Sequence, residues 1–529
     1  MDYAALMRCV PAHRQEIIRK LLCWNTETTD YLALALAPPD TPDSKVSPGD
    51  LAIMLAAGYI TAAQRSQVKR IGKVFFVEEL EKDRRRVIYW PKQMNAEVTQ
   101  WKRDRGLDFL SPTLDDTIAA RDDLWRKDLW ATAADLKISF NQCGLAPDVR
   151  DFFGFRVGSH YYVVNRMPMG EIVAPAIMHA ITEGLAEAAA AGLDVRWRAF
   201  VDNVRFVGTK LAVARAMEAF MKLCRTAGIT LNDEPKLNAP HPAADFLGLH
   251  FDYAAQLVSL TERGTTKLRA FLSALASPSL TCEAFMSGYG LMEHTSRILR
   301  LPLSSHFTAR KFASRRAGEI CDGTFREADP VRVWPTALPE LTRWVRDLLA
   351  SPPVSPGLPT STETKFVLAT DASTEGWGAV VTNAAGATFT ASGKWHRKHV
   401  SDDINGLEAA AVANAWDKFG HLFGEEDAIT LLTDNTATMF TLRKGRAREL
   451  ALNGAIDRTL RLMRCNPNIR VAHIATEVNP ADSLSRGLAL DRGLSSTLWA
   501  VGRGKEAAAL RVAAPSSFPT LKRNYPCSW

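Results

Sequence analysis

The pattern of apolar and polar positions is clearest in residues 365–490, where short apolar stretches alternate with amphipathic ones. Short apolar runs bounded by turn residues are typical of strands, and apolar positions repeated every three to four residues are typical of helices. Asn405 and Gly420 flank the first such helix as start and stop signals. The predicted order βββαβααβα indicates a self-contained α/β domain. Its strands are predicted at 365–371, 376–383, 387–395, 428–434 and 469–475, and its helices at 405–420, from 435, at 449–465 and from 479.

The upstream part of the chain predicts a mixture of hairpins and helices. Two short apolar stretches within 197–208 surround Asp202 and Asn203 and are expected to form adjacent strands. An amphipathic helix is expected at 211–228, and 264–350 is expected to be mostly helical. The other predicted elements are hairpins at 74–90, at 152–170 with a turn near Gly158–Ser159 and at 244–252, a strand within 129–140 and a helix at 172–192.

A proline-rich stretch separates the two parts. Residues 351–364, SPPVSPGLPTSTET, contain four prolines with Ser and Thr and no apolar periodicity, as is typical of an extended linker. At about 100–200 residues per domain, 529 residues correspond to several domains. The expected units are an N-terminal helical extension (1–60), a region of hairpins and helices (61–262), a helical region (263–350), the linker (351–364), the C-terminal α/β domain (365–490) and a tail (491–529).

The composition, with 47% apolar and 23% charged residues, excludes a wholly disordered, collagen-like or coiled-coil chain. No stretch approaches ~18 uninterrupted apolar residues, so a membrane span is not expected. The N-terminal residues lack the basic segment and apolar run of a secretory signal. The eight cysteines include no CxxC pair and none near a His at zinc spacing, which argues against a disulfide framework or zinc module. A cytoplasmic or nuclear location is therefore expected.

The net charge of +7 is concentrated in one region. Between Arg65 and Arg105 there are twelve basic and six acidic residues, so this window holds most of the surplus. Such a basic patch suits a polyphosphate partner such as a nucleic acid, although a solvated charged face explains the charge equally well. A second basic cluster lies in the helical region. The candidate nucleic-acid contacts of the two clusters are Arg84, Arg85, Arg310, Lys311, Arg315 and Arg316.

Four acidic residues lie at strand ends or helix starts of the C-terminal pattern. Asp371 and Asp434 end predicted strands, Glu408 lies in the first turn of a helix, and Asp482 opens the last helix. At a shared rim of the sheet, four carboxylates would repel one another unless cations lay between them. Mg²⁺ and Mn²⁺ prefer such oxygen ligands, and two ions about 4 Å apart can clamp a phosphodiester. For any single acid a turn or capping role is the simpler explanation, as for Asp482 after Asn479–Pro480.

Four motifs around these acids occur in a fixed order: TDASTEGWGAVV, INGLEAAAV, LLTDNTATM and HIATEVNPADSLSRG. Together they resemble the ribonuclease H domain of retroelement polyproteins, in the style of DIRS-like and gypsy-like retrotransposons. The resemblance implies that Asp371, Glu408, Asp434 and Asp482 bind two Mg²⁺ or Mn²⁺ ions. It also implies that His473 lies near the scissile phosphate, with a buried, hydrogen-bonded histidine on the fifth strand as the alternative.

Six upstream motifs resemble, as an ordered set, the fingers and palm of reverse transcriptases: RRRVIYWPKQMN, AADLKISF, NRMPMGEIVAPAIMHAI, FVDN, GITLNDEPKL and ADFLGLHFD. Two acids on adjacent strands can bind the metal pair that drives nucleotidyl transfer. The resemblance implies this role, again with two ions, for Asp135 and Asp202. The fold class that the resemblance implies is α/β and α+β multidomain. It is a right-hand polymerase, with fingers and palm at 61–262 and a helical thumb or connection at 263–350, followed by a ribonuclease H-like α/β domain at 365–490.

The same resemblance implies nucleotide contacts. Phe140 would lie beneath the sugar and exclude a 2′-hydroxyl, which favours deoxynucleotides, and core packing is its alternative. Lys73 and Arg86 would hold the incoming triphosphate from the fingers, with ordinary surface cations as the alternative. Lys236 would stand near the pyrophosphate. Gly170 would let the template or base pair approach the backbone closely, since glycine has no side chain.

One residue departs from the family pattern. The palm motif usually reads aromatic-x-Asp-Asp, and here it reads Phe200-Val201-Asp202-Asn203. The first Asp is the metal ligand in most palm enzymes, and the second shapes the local electric field. Asn203 keeps the size and one acceptor of the usual residue but loses its charge. Some viral palm polymerases carry Asp-Asn at this turn, so the departure does not exclude DNA synthesis but argues for its partial loss.

The leading hypothesis is an RNA-directed DNA polymerase (a nucleotidyltransferase) with ribonuclease H endonuclease activity, of retrotransposon origin. Its partners would be a primed RNA template, a DNA primer, the RNA–DNA hybrid, dNTPs and other products of the retroelement. One alternative is a domesticated noncatalytic scaffold that binds RNA or protein, and another is a hybrid-specific nuclease whose polymerase half is only a clamp. The intact acid quartet argues against the scaffold, whereas Asn203 favours partial loss of activity.

Overall fold

A computed structural model gives the fold of the chain. The predicted multidomain class with mixed α and β structure is confirmed. None of the helices in the described ranges combines the length and apolarity needed to cross a bilayer. Most of the predicted linker and the end of the predicted tail lie outside the described residues. The structure describes residues 1–34, 44–79, 84–104, 128–232, 235–299, 301, 303–321, 323–353, 364–395, 403–424, 427–463 and 469–503.

The N-terminal half forms one body around a single hydrophobic cluster that extends from Leu6 to Ile229. Its helices are α1 Tyr3–Cys9, α2 Ala12–Thr26, α3 Thr29–Leu32, α4 Pro48–Ala56, α5 Lys92–Asp104, α6 Pro147–Arg150, α7 Ala174–Ala190, α8 Lys210–Thr226 and α9 Pro235–Asn238. Its strands are β1 Ile60–Ala63, β2 Lys73–Glu79, β3 Arg84–Trp90, β4 Trp130–Asp135, β5 Gly154–Val157, β6 His160–Val164, β7 Val195–Phe200 and β8 Asn203–Gly208.

Residues 1–60 were expected to form a separate helical extension, and the structure corrects this expectation. Leu6, Ile18 and Tyr31 are buried in the same cluster as Phe153 and Phe220. The physical reason is that α1 and α2 bury their apolar faces against α8 and α7. The N-terminal helices are therefore part of the same body as strands β1–β8.

Three small antiparallel sheets make up the β structure of this body. Strands β2 and β3 form the basic hairpin, and β1, β6 and β5 form a second sheet. The third sheet has the order β4-β8-β7, and α7 and α8 pack on it. It lies in the predicted palm, and we refer to it as the palm sheet. The predicted pair of strands around Asp202 and Asn203 corresponds to β7 and β8 of this sheet.

The middle of the chain contains a small sheet followed by helices. The sheet, of order β11-β10-β9, packs on the palm through Phe246, Phe251 and Val207. The helices have their own cluster around Phe285 and Trp344. The predicted helical region is confirmed. The elements are β9 Ala243–Phe246, β10 Leu249–Asp252, β11 Leu257–Leu260, α10 Glu262–Ala274, α11 Cys282–Ile298, a 3₁₀ turn Leu303–His306, α12 Phe307–Cys321 and α13 Leu338–Ala350.

The C-terminal domain is a five-stranded sheet of order β14-β13-β12-β15-β16 with helices on both faces. The strand pairs β12–β15 and β15–β16 are parallel, and the others are antiparallel. Strand alternation sends Leu368 into one cluster and Val367 into the other. The elements are β12 Phe366–Ala372, β13 Gly376–Asn383, β14 Thr388–Lys394, α14 Ile404–Phe419, β15 Ile429–Thr433, α15 Thr436–Lys444, α16 Leu450–Met463, β16 Ile469–His473, α17 Ala481–Ser485 and α18 Arg492–Arg503.

Two local expectations for this domain were wrong. The first long helix begins at Ile404 and is capped by the Asp403 side chain rather than by Asn405. The residues after 490 were expected to be a tail, but α18 packs on the sheet with Leu498 buried against it. The apolar face of 492–503 explains this packing, and the domain therefore extends to at least residue 503.

Candidate active sites

Three of the four predicted nuclease acids converge at one edge of the C-terminal sheet. The register of the parallel strands β12 and β15 pairs Thr370 with Thr433. Asp371 and Asp434 come next along the chain, so both lie at the carboxyl edge of these strands. Glu408 reaches the same edge from α14. One carboxylate oxygen from each of Asp371, Glu408 and Asp434 lies within 4.8 Å of the other two.

Burial and mutual repulsion oppose three negative charges in this group. Asp371 and Glu408 are each 4% exposed. Burial, and then the charges of Asp371 and Asp434, raise the pKa of Glu408 to about 9. Burial, with the charges of Asp434 and Asp482, raises the pKa of Asp371 to about 6. Carboxylates packed this closely require either a proton on one of them or a cation among them.

Glu408 provides the observation that favours a cation. Its Oε1 accepts a hydrogen bond from the Ala372 backbone N–H at 3.3 Å. Its Oε2 is buried and receives no hydrogen bond from the described residues. A buried acceptor without a partner costs about 1–3 kcal/mol, which a bound cation would relieve. Three carboxylates are a hard oxygen donor set, so these residues fit Mg²⁺ or Mn²⁺.

Asp482, the fourth predicted acid, is engaged differently. Arg486 donates to its carboxylate, with Nη2 2.8 Å from Oδ1 and Nε 3.1 Å from both oxygens. The side chains of Asp482 and Arg486 are 29% and 60% exposed. Asp482 still raises the pKa of Asp371 and of Glu408 through its charge. Sequence reasoning missed Arg486, although its position four residues after Asp482 on a predicted helix is a usable signal.

Asn479 fixes the corner of the domain that carries Asp482. Its Nδ2 donates to the Thr370 carbonyl at 3.1 Å, and its Oδ1 accepts the Ala481 N–H at 3.1 Å. Asn479, rather than Asp482, therefore satisfies the start of α17, and the capping explanation for Asp482 is wrong. A Cβ at Gly378 would lie 2.5 Å from the Ala481 carbonyl oxygen, so this glycine lets α17 lie flat on β13.

His473 lies exposed at the end of β16, so the buried alternative is wrong. Its Nε2 lies 3.1 Å from the Asp434 carbonyl oxygen. A carbonyl only accepts, so Nε2 carries a proton in this contact, and Nδ1 is the ring nitrogen that this contact does not use. Thr476 donates to Asp434 Oδ2 at 2.8 Å. A cavity of about 260 Å³ adjoins these residues and is lined by Thr476, Asp482 and Arg486, among others.

The two predicted polymerase acids lie on neighbouring strands of the palm sheet. Asp135 ends β4 and is paired in register with Asn203 of β8, and Asp202 precedes Asn203 in the turn. Asn232 Nδ2 donates to Asp135 Oδ2 at 2.6 Å, and Ser139 Oγ donates to Asp202 Oδ2 at 2.9 Å. Both acids are half-buried. The structure brings them to one site, but each is already hydrogen-bonded by a neutral side chain.

Asn203 has a structural role in this turn. Its Nδ2 donates to Asp202 Oδ1 at 3.0 Å, which an ionised aspartate in its place cannot do. Val201 has a φ of 55°, a left-handed conformation that is costly for a β-branched residue. Thr182 Oγ1 donates to the Val201 carbonyl at 2.7 Å and supports the turn. Asn203 thus orients Asp202 without adding a second negative charge.

The predicted nucleotide-binding cations have accessible positions. The register of the basic hairpin pairs Arg86 with Val77, and alternation places Lys73 on the same face as Val77. Lys73 and Arg86 therefore share one face of the hairpin, as a triphosphate contact requires. Lys236 is exposed on α9. Phe140 lies in a 3₁₀ turn after β4 and packs partly against the palm core, so its packing alternative is supported as well.

Gly170 does allow a close approach, but the structure identifies a different neighbour. Its φ is 112°, and a Cβ there would lie 2.3 Å from the Tyr89 carbonyl oxygen. Asn95 Nδ2 donates to the Gly170 carbonyl at 2.8 Å. The backbone that approaches Gly170 is therefore that of β3, and packing of the hairpin on the palm already explains this glycine.

The basic hairpin does not present all of its arginines to one partner. Arg85 lies on the face opposite to Arg86, pairs with Asp50 of α4 at 2.8 Å and lies over the Phe76 ring at 4.6 Å. Its contacts tie the hairpin to α4, which weakens its interpretation as a nucleic-acid contact. The side chain of Arg84 lies outside the described part of the structure.

Arg316 in the second basic cluster does not face solvent. It is 9% exposed, lies 3.9 Å from the centre of the Phe325 ring and forms an ion pair of 2.9 Å with Glu319. Its position on the inner side of α12 explains the burial, so we remove Arg316 from the predicted nucleic-acid contacts. Of the other members of this cluster, Lys311 and Arg315 are exposed and Arg310 is half-buried.

Comparison with known proteins identifies the C-terminal domain. Residues 361–461 match the family described as the RNase H-like domain found in reverse transcriptase. This match confirms the predicted relationship to reverse transcriptase–ribonuclease H proteins for that domain. The DIRS-like or gypsy-like subfamily stays a prediction. No curated protein sequence matches the chain.

Among solved structures, the chain is similar to foamy viral protease-reverse transcriptases. One of them, in complex with double-stranded DNA, is 15% identical, with a TM-score of 0.45 and coverage of 90% of this chain and 96% of that chain. Another, in complex with an RNA/DNA hybrid, is 14% identical, with a TM-score of 0.46 and coverage of 90% of this chain and 62% of that chain.

Proposed function

We propose that this chain is an RNA-directed DNA polymerase with ribonuclease H activity, of retrotransposon origin. The observation that carries the nuclease half is the buried Oε2 of Glu408. It has no hydrogen-bond partner in the described part of the chain and lies beside Asp371 and Asp434, in a domain that matches an RNase H-like family. If the three acids were independent helix caps or turn formers, their convergence at one edge of the sheet would have no explanation.

In the proposed nuclease site, bound Mg²⁺ or Mn²⁺ supplies Lewis-acid activation of water and stabilisation of the leaving oxygen. Asp371, Glu408 and Asp434 would hold the ions from the sheet edge, and Asp482 would complete the site from α17. His473, with Nε2 held by the Asp434 carbonyl, would exchange a proton at Nδ1 with the leaving group at the rim. The substrate would be the RNA strand of an RNA–DNA hybrid.

The proposed polymerase site uses the palm sheet and the basic hairpin. Asp135 and Asp202 would hold the metal pair, and Lys73 and Arg86 would contact the triphosphate of the incoming dNTP from their shared face. Lys236 would stand near the pyrophosphate. Support comes from the strand register and the family-like motifs. The unit boundaries, the remaining basic contacts and the nucleic-acid partners belong to the same proposal.

A second candidate is a hybrid nuclease whose polymerase-like body only clamps the substrate. It is favoured by Asn203 and by the neutral donors that already occupy Asp135 and Asp202. Primer extension on a primed RNA template, with the full chain in Mg²⁺ and in Mn²⁺, distinguishes the two candidates. We expect extension, and we expect Asp202→Asn to abolish it while hybrid cleavage continues.

The nuclease proposal is tested with a labelled RNA strand in an RNA–DNA hybrid. Cleavage by the full chain should require a divalent cation and stop with EDTA. Asp371→Asn should slow cleavage by at least about a hundredfold. Mutation of a residue that only hydrogen-bonds a metal ligand already lowers metal affinity or activity by about 10–100-fold, and Asp371 is itself a proposed ligand. Glu375→Gln, at an exposed glutamate in the next turn, is the matched control and should cleave normally. Undiminished cleavage by Asp371→Asn would refute the assignment.

A further inference from the structure

The ribonuclease H-like domain meets the helical middle region through polar side chains. The two regions have separate hydrophobic clusters, one around Trp344 and one around Trp416. Between them, the 3₁₀ turn Leu303–His306 contacts α16. Polar interfaces between domains resemble transient protein–protein contacts, so their hydrogen bonds decide the relative placement of the domains.

Five side chains form this contact, which we call the latch: Ser304, Ser305, Asn453, Asp457 and Arg461. The hydroxyls of Ser304 and Ser305 both donate to Asp457 Oδ1, at 2.8 and 2.7 Å. Asn453 Nδ2 donates to the Ser304 carbonyl at 2.6 Å. Arg461 donates to Asp457 Oδ2 at 2.8 Å and to Ser305 Oγ at 3.0 Å. Hydrogen bonds to a charged acceptor are the stronger class, so Asp457 is the centre of the latch.

An ion pair lies beside the latch. Arg446, in the turn between α15 and α16, contacts Glu293 of α11 at 2.7 Å, and the two side chains are only 20% and 18% exposed. A pair this sheltered is screened less by salt than a surface pair. Asn453 and Ser304 are themselves 3% exposed, so the centre of the interface is shielded from bulk solvent. Such an interface favours one relative orientation of the two domains, because any other orientation leaves buried polar groups unpaired and so costs free energy.

Each half of the latch is held in place by contacts within its own region. On the helical side, the His306 ring stacks on Trp344 at 4.4 Å, and Trp344 Nε1 donates to Ser296 Oγ at 2.6 Å. On the nuclease side, Thr459 of α16 donates to the Ala409 carbonyl at 3.2 Å. Ala409 follows Glu408, so the latch is connected through one helix pair to the proposed metal ligands.

We infer that the latch holds the nuclease domain at a fixed distance from the polymerase-like body and so sets where the RNA strand is cut relative to the DNA 3′ end. This inference rests on the proposed function. Without the latch, the nuclease domain and the helical middle region would keep the Glu293–Arg446 pair and their covalent connection, but would lose the hydrogen bonds centred on Asp457. The latch residues therefore position the nuclease, and they contribute nothing to the chemistry of cleavage.

The test uses a hybrid whose DNA 3′ end is recessed on a labelled RNA strand. The parent chain should cut at one dominant distance from that end. The double variant Ser304→Ala/Ser305→Ala should spread the cuts over several nucleotides, while its total rate on a hybrid without a recessed end stays unchanged. Arg458→Gln is the matched control: Arg458 neighbours Asp457 on α16 but pairs with Asp417 inside the nuclease domain, so its variant should keep the single distance.

A charge swap checks the neighbouring pair. Glu293→Arg and Arg446→Glu should each broaden the cut distribution, and the double swap should restore it. If the serine variant and both single swaps keep the parental distance, the latch inference is wrong while the proposed function stands. If the parent cuts no hybrid, the proposed function fails. Small-angle scattering of the free chain then decides the latch: a larger radius of gyration in the serine variant supports it, and an unchanged one overturns it.

Discussion

The two acid-bearing sites of this molecule differ in how their carboxylates are satisfied. At the edge of the C-terminal sheet, three carboxylates converge, and a buried oxygen of Glu408 has no partner among the described residues. In the palm, Asp135 and Asp202 are half-buried and accept hydrogen bonds from neutral side chains. The first arrangement calls for a cation, whereas the second is satisfied as it stands. The nuclease site can therefore be inferred from its own geometry, but the polymerase site depends on motif and strand register.

This difference predicts opposite stability effects when one acid of each site is neutralised. In metal-free buffer, Glu408→Gln should raise the free energy of unfolding by about 1–3 kcal/mol. Burial and the neighbouring acids raise the pKa of Glu408 to about 9, so the folded chain must keep this carboxyl protonated at neutral pH, and an uncharged amide avoids the free energy that this costs. Asp202→Asn should not raise it, since Asp202 already accepts hydrogen bonds from Ser139 and Asn203. Calorimetric unfolding in EDTA measures both variants against the parent.

Mg²⁺ should also change the stability of the parent and of Glu408→Gln to different extents. Adding Mg²⁺ should stabilise the parent, because a ligand that binds only the folded chain shifts its unfolding. It should stabilise Glu408→Gln much less. If Glu408→Gln is less stable than the parent without metal, the two sites do not differ in the way described.

Asn203→Asp tests whether the palm site is adapted to its neutral partner. The change removes the hydrogen bond from Asn203 Nδ2 to Asp202 and places a second carboxylate beside it. A hydrogen bond to a charged group contributes about 1.5–3 kcal/mol, so primer extension in Mg²⁺ should fall roughly tenfold or more. Asn203→Ala, which loses the bond without adding charge, should fall less. Faster extension by Asn203→Asp would instead mark Asn203 as a partial loss of function.

Sequence patterning predicted most elements of the fold because their signals are local. The strand at 428–434 is a short apolar run and the helix at 211–228 has an amphipathic helical repeat, and the structure contains them as β15 and α8. The role of residues 1–60 was not predictable in the same way. Leu6 and Tyr31 are ordinary helix residues in sequence, and only tertiary packing shows that they complete the palm core. The helix α18 was missed for a similar reason, since it needs the sheet to cover Leu498.

The site was predictable to the extent that its residues occur at strand ends. Asp371 and Asp434 follow apolar strands, and parallel pairing then brings them together. The pairing of Asp482 with Arg486 has an i,i+4 signal in the sequence, but the spacing alone does not decide whether the two side chains meet. The burial of Arg316 likewise depends on which side of its helix meets the core. Charge counts could therefore locate basic clusters but could not tell which of their cations are accessible.

The smallest expected effect concerns Arg486, the one cation bonded to an acid of the nuclease site in the described structure. An exposed ion pair of this kind contributes about 0.2–1 kcal/mol, and a metal ion must compete with it for Asp482. Arg486→Gln should therefore lower the half-saturating Mg²⁺ concentration roughly two- to fivefold, as measured by calorimetric titration of the full chain. Lys444→Gln, which removes an exposed cation near Phe440, is the control and should leave Mg²⁺ binding unchanged. In the palm, by contrast, Ser139 and Asn203 donate to Asp202 without charge. If Arg486→Gln weakens Mg²⁺ binding instead, Arg486 holds Asp482 in place for the metal, and the nuclease site depends on a fixed partner in the same way as the palm.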